Sequence, residues 1–249
     1  MDAKVPLPKH AQPVPSIAGG PAPLCPNAAL GCEGATLCRF APPEMQRPCL
    51  RELSRGGRVA LDPAGERTTF HAVRSGLVGL AAEGPGGRRQ IVCLAGAGEL
   101  LCPAVPGSPG CRVEALTESR VCEINLGASR EVLERDPDFA RQMLALAHGG
   151  LAHAAQRIVS LGRLEGRARL AAFLLDMGAR LGTRDGCTIR LSLPMTREDI
   201  ADCLGLNTET VSRLFTRLRR EGLLTLPSPT AVTLTDAGAL DAIATGTQA

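Results

Sequence analysis

Two groups of residues in this chain could carry out chemistry. The first is a set of thiols. Cys25, Cys32 and Cys38 follow one another at C-x6-C-x5-C spacing, and Cys122 stands far downstream in Val121-Cys122-Glu123-Ile124. Four thiolates suit an iron–sulfur cluster. On ligand count alone, Cys25, Cys32, Cys38 and Cys49 would also satisfy a tetrahedral zinc site. The plain alternative is a set of unliganded cysteines in a loose arm. The second group lies in Thr196–Gly222, which reads TREDIADCLGLNTETVSRLFTRLRREG. Here Thr208, Glu209, Ser212 and Arg213 fall on the outward side of a helix start, where a recognition helix presents side chains to base edges.

The elements that must position these residues are legible in turn. Thr196 is placed to cap a short helix carrying Ile200, Ala201 and Leu204. Gly205 breaks that helix, and Asn207 or Thr208 caps a second one with Val211, Leu214 and Leu218 at helical spacing. The stretch GLLTLPSPTAVTLTD then reads as a two-strand wing turning at Ser228 and Pro229. Upstream, EGRARLAAFLLDMGARLG reads as a helix ending near Gly182, with a loop and one short strand over 183–195. Before it, Leu144, Ala147, Leu151, Ala154, Ile158 and Leu161 recur at steps of three and four. That seam fits one long helix pairing with a copy of itself. Gly149 and Gly150 sit inside it and weaken it, each by about 1 kcal/mol relative to Ala. From about residue 51 to 126, short β-type runs alternate with Gly and Pro turns, as in a sandwich or roll.

Composition narrows the function classes. The chain has 249 residues, 44% of them hydrophobic, and a formal net charge of +3. It is no bulk polyanion binder, although arginine outnumbers acid between Arg141 and Gly222. Trp and Tyr are absent, which argues against stacking platforms for single strands. No run is long and apolar enough to cross a membrane, and the Pro-broken N-terminus has no signal core. The expected location is therefore a reducing cytoplasm, where the ten cysteines are not expected to form structural disulfides. Cys93, Cys102, Cys111 and Cys187 read as structural strand or loop residues. Cys203 reads as a partly buried small residue on the first helix of the reader. An enzyme is not expected. The four histidines, His10, His71, His148 and His153, accompany no thiol and acid in a catalytic constellation.

A β-roll, a long pairing helix and a C-terminal winged helix-turn-helix, in that order, resemble the Crp–Fnr superfamily of bacterial transcription regulators. The runs RLAAFLLDMGARLG and MTREDIADCLGLNTETVSRLFTRLRREGLL resemble its fumarate and nitrate reduction branch most closely. The resemblance implies an α+β fold in five parts. These are a disordered Pro-rich arm (1–24), a cysteine-rich cluster-binding segment (25–50), a β-roll sensor domain (51–127), a dimerisation helix region (128–164) and a winged helix-turn-helix (165–249). It implies that Glu209, Ser212 and Arg213 read a TTGAT half-site. Arg would donate twice to guanine O6 and N7, Glu would accept from a cytosine amine, and Ser would serve a thymine or a phosphate. Arg217, like Arg219 and Arg220, then falls to phosphate. The implied partners are double-stranded DNA, RNA polymerase and a second copy of the chain.

The resemblance also bears on the signal. Gly98-Glu99-Leu100 matches the turn of cyclic-nucleotide members, but Pro109 and Gly110 stand where their phosphate-gripping Arg-Ser pair belongs. Arg112 is the available substitute. The cysteines match the oxygen-sensing branch better, and imply a [4Fe–4S] cluster on Cys25, Cys32, Cys38 and Cys122. The first interval departs from the branch, whose C-x2-C would require a cysteine at position 29, and Cys49 is a reserve ligand. A cluster-free regulator answering to thiol redox, zinc or a small molecule is the alternative. Members that switch between monomer and dimer keep an acid on the pairing helix. Residues 139–164 here contain none, which points to dimerisation without a signal.

Overall fold

The alternating stretch after residue 50 becomes two four-stranded sheets in the computed structural model, which describes residues 49–60, 69–101, 111–125 and 137–246. The strands are β1 (Cys49–Leu53), β2 (Arg58–Ala60), β3 (Thr69–Ser75), β4 (Leu77–Glu83), β5 (Arg89–Gly96), β6 (Leu100–Leu101), β7 (Arg112–Ala115) and β8 (Ser119–Asn125). One sheet has the order β1-β8-β3-β6 and the other β2-β7-β4-β5. Side chains alternate faces along a strand. Val73, Leu101 and Val121 of the first sheet therefore meet Val78, Leu80, Ala95, Val113 and Ala115 of the second in one core. Between β3 and β4 the chain turns at Gly76 with φ +88°, where a Cβ would lie 2.3 Å from Ser119 Oγ. Only glycine fits there.

A long helix, α1 (Pro137–Arg163), follows. It opens on a proline, whose missing N–H costs nothing in a first turn. It runs unbroken through Gly149 and Gly150. Leu144, Leu151 and Ile158 are 71%, 69% and 71% exposed, so the apolar seam is uncovered in the single chain. Ala154 is exposed with them. Leu161 is less so, and its Cδ2 lies 3.2 Å from where a Cβ on Gly205 would sit. The side chain of Ala147 lies outside the described residues.

The rest is α2 (Gly166–Leu181), β9 (Gly182–Asp185), β10 (Thr188–Ser192), α3 (Arg197–Leu204), α4 (Thr208–Arg220), β11 (Leu224–Thr225), β12 (Ala231–Leu234) and α5 (Ala237–Thr245). The single short strand expected over 183–195 is in fact a hairpin. Gly186 and Cys187 turn it, with Gly186 at φ +59°, and the wing joins it in a sheet of order β11-β12-β10-β9. Sequence reading did not anticipate α5. Its N-cap is Asp236, whose Oδ1 accepts from Ala239 N at 2.9 Å.

The roll and the C-terminal helices share a core. Leu77, Ile91 and Leu116 from the outer face of the second sheet join Leu170, Leu174 and Met177 of α2, with Ile200, Leu204, Val211, Phe215 and Leu218 of α3 and α4. Guanidinium groups line the same junction. Arg157 of α1 donates to Ile91 O at 2.8 Å and also to Cys203 O. Arg169 of α2 donates to Leu204 O at 2.7 Å, and Arg180 to Leu94 O at 3.0 Å.

The strongest of these ties centres on Asp199. Its carboxylate completes a capping box, accepting from Thr196 N at 3.0 Å and Thr196 Oγ1 at 2.7 Å while Thr196 Oγ1 accepts from Asp199 N. The same carboxylate pairs with Arg89 and, at 3.0 Å, with Arg55, both from the roll. Arg89 also reaches Asp202 at 2.7 Å and buried Glu114 at 2.5 Å. Burial alone would push the Asp199 carboxyl up, but the Thr196 hydrogen bonds and the Arg89 guanidinium outweigh it and hold the group below the usual aspartate range. A depressed folded pKa stabilises the fold above the unfolded value and loses that contribution as pH falls. Asp199→Asn is therefore expected to cost about 3 kcal/mol at neutral pH. The gap to wild type should close as pH drops below about 4. Urea denaturation from pH 3 to 7 measures both, and equal midpoints at neutral pH would contradict the tie.

Candidate nucleic-acid interface

The two-helix reader is built as its local chemistry dictates. Thr196 caps α3, and Gly205 ends it in the left-handed region at φ 63°. Asn207, not Thr208, caps α4, its Oδ1 accepting from Thr210 N at 2.7 Å. Val211 and Leu218 are buried as expected and Leu214 is half-buried. Phe215, which sequence reading passed over, is among the largest fully buried side chains. Arg197 lies 3.4 Å above its ring, pinning the start of α3 to the middle of α4.

The opposite side of α4 is open. Thr208, Glu209, Ser212, Arg213, Thr216 and Arg217 are all exposed. Together with Arg220 and Glu221, most of them border a shallow groove along the helix. Arg213 Nη2 donates to Glu209 Oε1 at 2.5 Å, one helical turn away. An exposed pair of this kind contributes only about 0.3–0.5 kcal/mol, so it opens readily for a better partner. The Ser212 hydroxyl donates to Thr208 O at 2.9 Å. In that rotamer its oxygen offers only lone pairs outward, which suits a base amine. Contact with thymine O4 or a phosphate requires the hydroxyl to turn. Arg217, Arg219 and Arg220 occupy the last turn, where cations complement the helix dipole.

The thiols divide by position. Cys122 is 5% exposed. It pairs in register with Ala72 and Leu50, alternate to the Val73–Val121 pair that faces the roll core, so it lies on the sheet's other face. Cys49 stands opposite Glu123 on β1. Cys25, Cys32 and Cys38 lie outside the described residues, as does Cys102. Among the described residues no group of three His, Cys, Asp or Glu is placed to hold a metal ion. Cys203, expected to be partly buried, is fully buried, and its thiol is pushed up to about 12, chiefly by burial. Cys187, expected to be structural, is exposed.

The nucleotide-type turn is otherwise engaged. Glu99 accepts from Gly96 N at 2.6 Å and pairs with Arg180 of α2. The substitute cation Arg112 is held by Glu83 at 2.6 Å and Glu114 at 3.3 Å. His71 is buried with Nδ1 unpartnered and Nε2 4.0 Å from Glu123. Burial lowers its pKa, and Glu123 only partly opposes this.

Comparison with known proteins adds to this geometry. Residues 168–243 match the Crp-like helix-turn-helix domain. The chain is 36% identical over 185 residues to the nitrogen fixation regulation protein FixK of Bradyrhizobium diazoefficiens, covering 71% of this chain and 78% of that one. It is 30% identical over 191 residues to the fumarate and nitrate reduction regulatory protein of Salmonella typhimurium, covering 76% of each. Among solved structures, FixK2 from Bradyrhizobium japonicum superposes with a TM-score of 0.69 at 27% identity, over 79% of this chain and 96% of that one. Among the described residues no helix is long and apolar enough to cross a membrane.

The contrast between Cys187 and Cys203 is directly measurable. Because the thiolate is the nucleophile, maleimide at pH 7 is expected to modify Cys187 in the native chain and to spare Cys203 until denaturant is added. Mass mapping of labelled peptides reads both, and native labelling of Cys203 would contradict its burial.

Proposed function

Because this chain belongs to the Crp–Fnr superfamily of DNA-binding transcription regulators, we propose that α4 enters the major groove with Thr208, Glu209, Ser212 and Arg213 at base edges and Arg217 at phosphate. One observation carries the reading. The polar residues of the first turns of α4 face solvent while Val211, Phe215 and Leu218 fix the helix to its core. The Glu209–Arg213 couple would favour a half-site such as TTGAT. Each group satisfies the other in the free chain, and a G·C pair replaces both bonds at once, guanine accepting from Arg213 and cytosine donating to Glu209. An A·T pair also offers an amine to Glu209, but it gives Arg213 only single acceptors in place of the adjacent O6 and N7 of guanine, so the bidentate bond is lost.

Two copies would pair along Leu144, Ala147, Leu151, Ala154, Ile158 and Leu161, placing recognition helices one DNA turn apart on an inverted repeat such as TTGAT-N4-ATCAA. The exposed apolar stripe of α1 supports this. RNA polymerase is the partner such a regulator would address once on DNA.

For the signal we propose a [4Fe–4S] cluster held by Cys25, Cys32, Cys38 and Cys122. Support comes from the five-residue interval between Cys32 and Cys38, from the Val-Cys-Glu-Ile setting of Cys122, and from Cys122 being buried on the sheet face away from the roll core. A bound cluster would supply chemistry sensitive to oxygen or nitric oxide. Cys122 itself sits on β8 between β1 and β3, so ligation would load the sheet at its centre. Strand β8 is the last described element before α1.

Protein prepared without oxygen should be brown and hold about four iron and four sulfide per chain. A colourless, metal-free preparation that grips its operator as tightly as ever would remove the cluster and leave thiol redox, zinc or a small ligand as the input. Gel filtration of the same samples is expected to show a dimer with and without metal, since residues 139–164 carry no acid to force the copies apart. A metal-free monomer would overturn that. Arg213→Ala is expected to cost about 1–3 kcal/mol on the guanine-bearing half-site and to flatten preference there. Arg219→Ala should weaken every sequence alike. Anisotropy titrations on target and random duplexes separate the two.

A further inference from the structure

A carboxylate on a DNA-facing surface ought to repel the polyanion it faces, yet Glu221 stands at the end of the groove along α4. Its two oxygens are both engaged. Oε1 accepts from Arg217 Nε at 2.9 Å, and Oε2 accepts from Arg167 Nη2 at 2.6 Å. Arg217 comes from the last turn of the recognition helix, whereas Arg167 comes from the first turn of α2, outside the helix-turn-helix. Their meeting is fixed by packing. Gly166 lies so close to α4 that a Cβ there would sit 3.4 Å from Leu214 Cδ1 and from Leu206 Cδ1.

The donor edges matter. A guanidinium carries five N–H donors in a planar fork. Arg217 is held by its Nε edge, so among the described residues both of its Nη groups remain without a partner. Arg213 differs, because its Nη2 is the very group Glu209 occupies. Arg213 must release its acid to reach a base, while Arg217 need not release Glu221 to reach a phosphate. The trio keeps a net positive charge, since two guanidiniums flank one carboxylate. Burial alone would raise the Glu221 carboxyl, but the hydrogen bonds and charges of Arg217 and Arg167 together outweigh it and hold the group below its usual range.

We propose that Glu221 is a positioning residue for DNA binding: it bridges Arg217 and Arg167 into one preset cationic pair, in which the mostly buried Arg167 of α2 braces Glu221 and the exposed Arg217 is held ready for a backbone phosphate. Rotamer freedom that an isolated arginine loses on meeting DNA is here lost on folding, which favours the bound geometry. The pair adds affinity without sequence information, because phosphate is the same at every step. This rests on the DNA-binding reading given above.

The test is titration of the full chain on the inverted-repeat duplex and on a random duplex across a salt series. The set comprises wild type, Glu221→Ala, Glu221→Gln, Arg167→Ala, Arg217→Ala and the two Arg variants in the Glu221→Ala background. Removing an acid that merely repels DNA tightens binding. Removing a positioning acid weakens it, here by about three- to tenfold on both duplexes, with a salt slope shallower by about one. Arg167→Ala and Arg217→Ala should each cost less when Glu221 is already absent than in wild type. Glu221→Gln keeps one carbonyl acceptor and should fall between wild type and Glu221→Ala. It also serves as the folding control, with melting temperature read alongside. Tighter or unchanged binding by Glu221→Ala, additive losses in the double variants, or weakening confined to the specific duplex overturns the clamp while DNA binding stands. Failure of wild type to bind either duplex overturns DNA binding and the clamp with it.

Discussion

The Asp199 carboxylate carries two loads that cannot be separated. It closes the capping box that starts α3, and it receives Arg89 and Arg55 from the β-roll. A helix start needs its first N–H groups satisfied, and a buried anion needs a cation. One side chain meets both needs, so the local stability of the reader depends on a residue more than a hundred positions away. Arg89 is itself shared among Asp199, Asp202 and buried Glu114. Burial raises Asp202 despite that guanidinium, whereas Asp199, with Thr196 added, is lowered. Of the two, Asp199 is therefore the anchored anion.

This arrangement gives the β-roll and the helix-turn-helix a physical connection. Strand β5 supplies Ile91 to the C-terminal core, Arg89 to α3 and a carbonyl to Arg157 of the long helix. Arg157 in turn reaches the last turn of α3 at Cys203 O. Close-packed interiors with paired polar groups do not deform continuously, so such junctions move as units. The recognition helix rides on α3 through Val211, Phe215 and the Arg197 cation above the phenyl ring. A displacement of β5 relative to α1 is thereby a displacement of the surface that carries Glu209 and Arg213.

What could be read from sequence follows from interaction range. The reader was legible because its punctuation is local: Thr196 three residues before Asp199, Gly205 at a left-handed turn, Asn207 before Thr210. The seam of α1 was legible because three-four periodicity is itself local. Strand β10 alternates, with Ile189 and Leu191 buried, and fits the one short strand expected, but its partner β9 was missed although Asp185-Gly186 is a strong turn signal, because Gly-Thr-Arg-Asp is mostly exposed and carries no apolar residue. Helix α5 was missed although Asp236 and Gly246 bound it, because its small, Ala-rich face gave weak periodicity. Phe215 was legible by the same rule of periodicity, since it stands four residues after Val211 and three before Leu218, on one helix face. No local rule joins Arg89 to Asp199, or Arg167 to Glu221. Those pairs exist only once the roll and α2 are packed on the reader.

On the proposed reading, the division between Glu209–Arg213 and Glu221–Arg217 would let one short helix separate selectivity from grip. Both are glutamate–arginine couples four residues apart, but with the order reversed along the chain. In the first, the acid precedes the base and lies in the opening turn, where a carboxylate also favours the helix dipole. Both partners are highly exposed, and the terminal nitrogen that would read guanine is the one in use. Binding there is an exchange, so it is weak unless a base pair repays both groups. In the second, the acid follows and is only 31% exposed, and a further guanidinium from α2 braces it. The bond runs through Nε and leaves the outer nitrogens open. Contact there is an addition, indifferent to sequence. On that reading selectivity would reside in bonds that must be broken, and affinity in bonds that are kept.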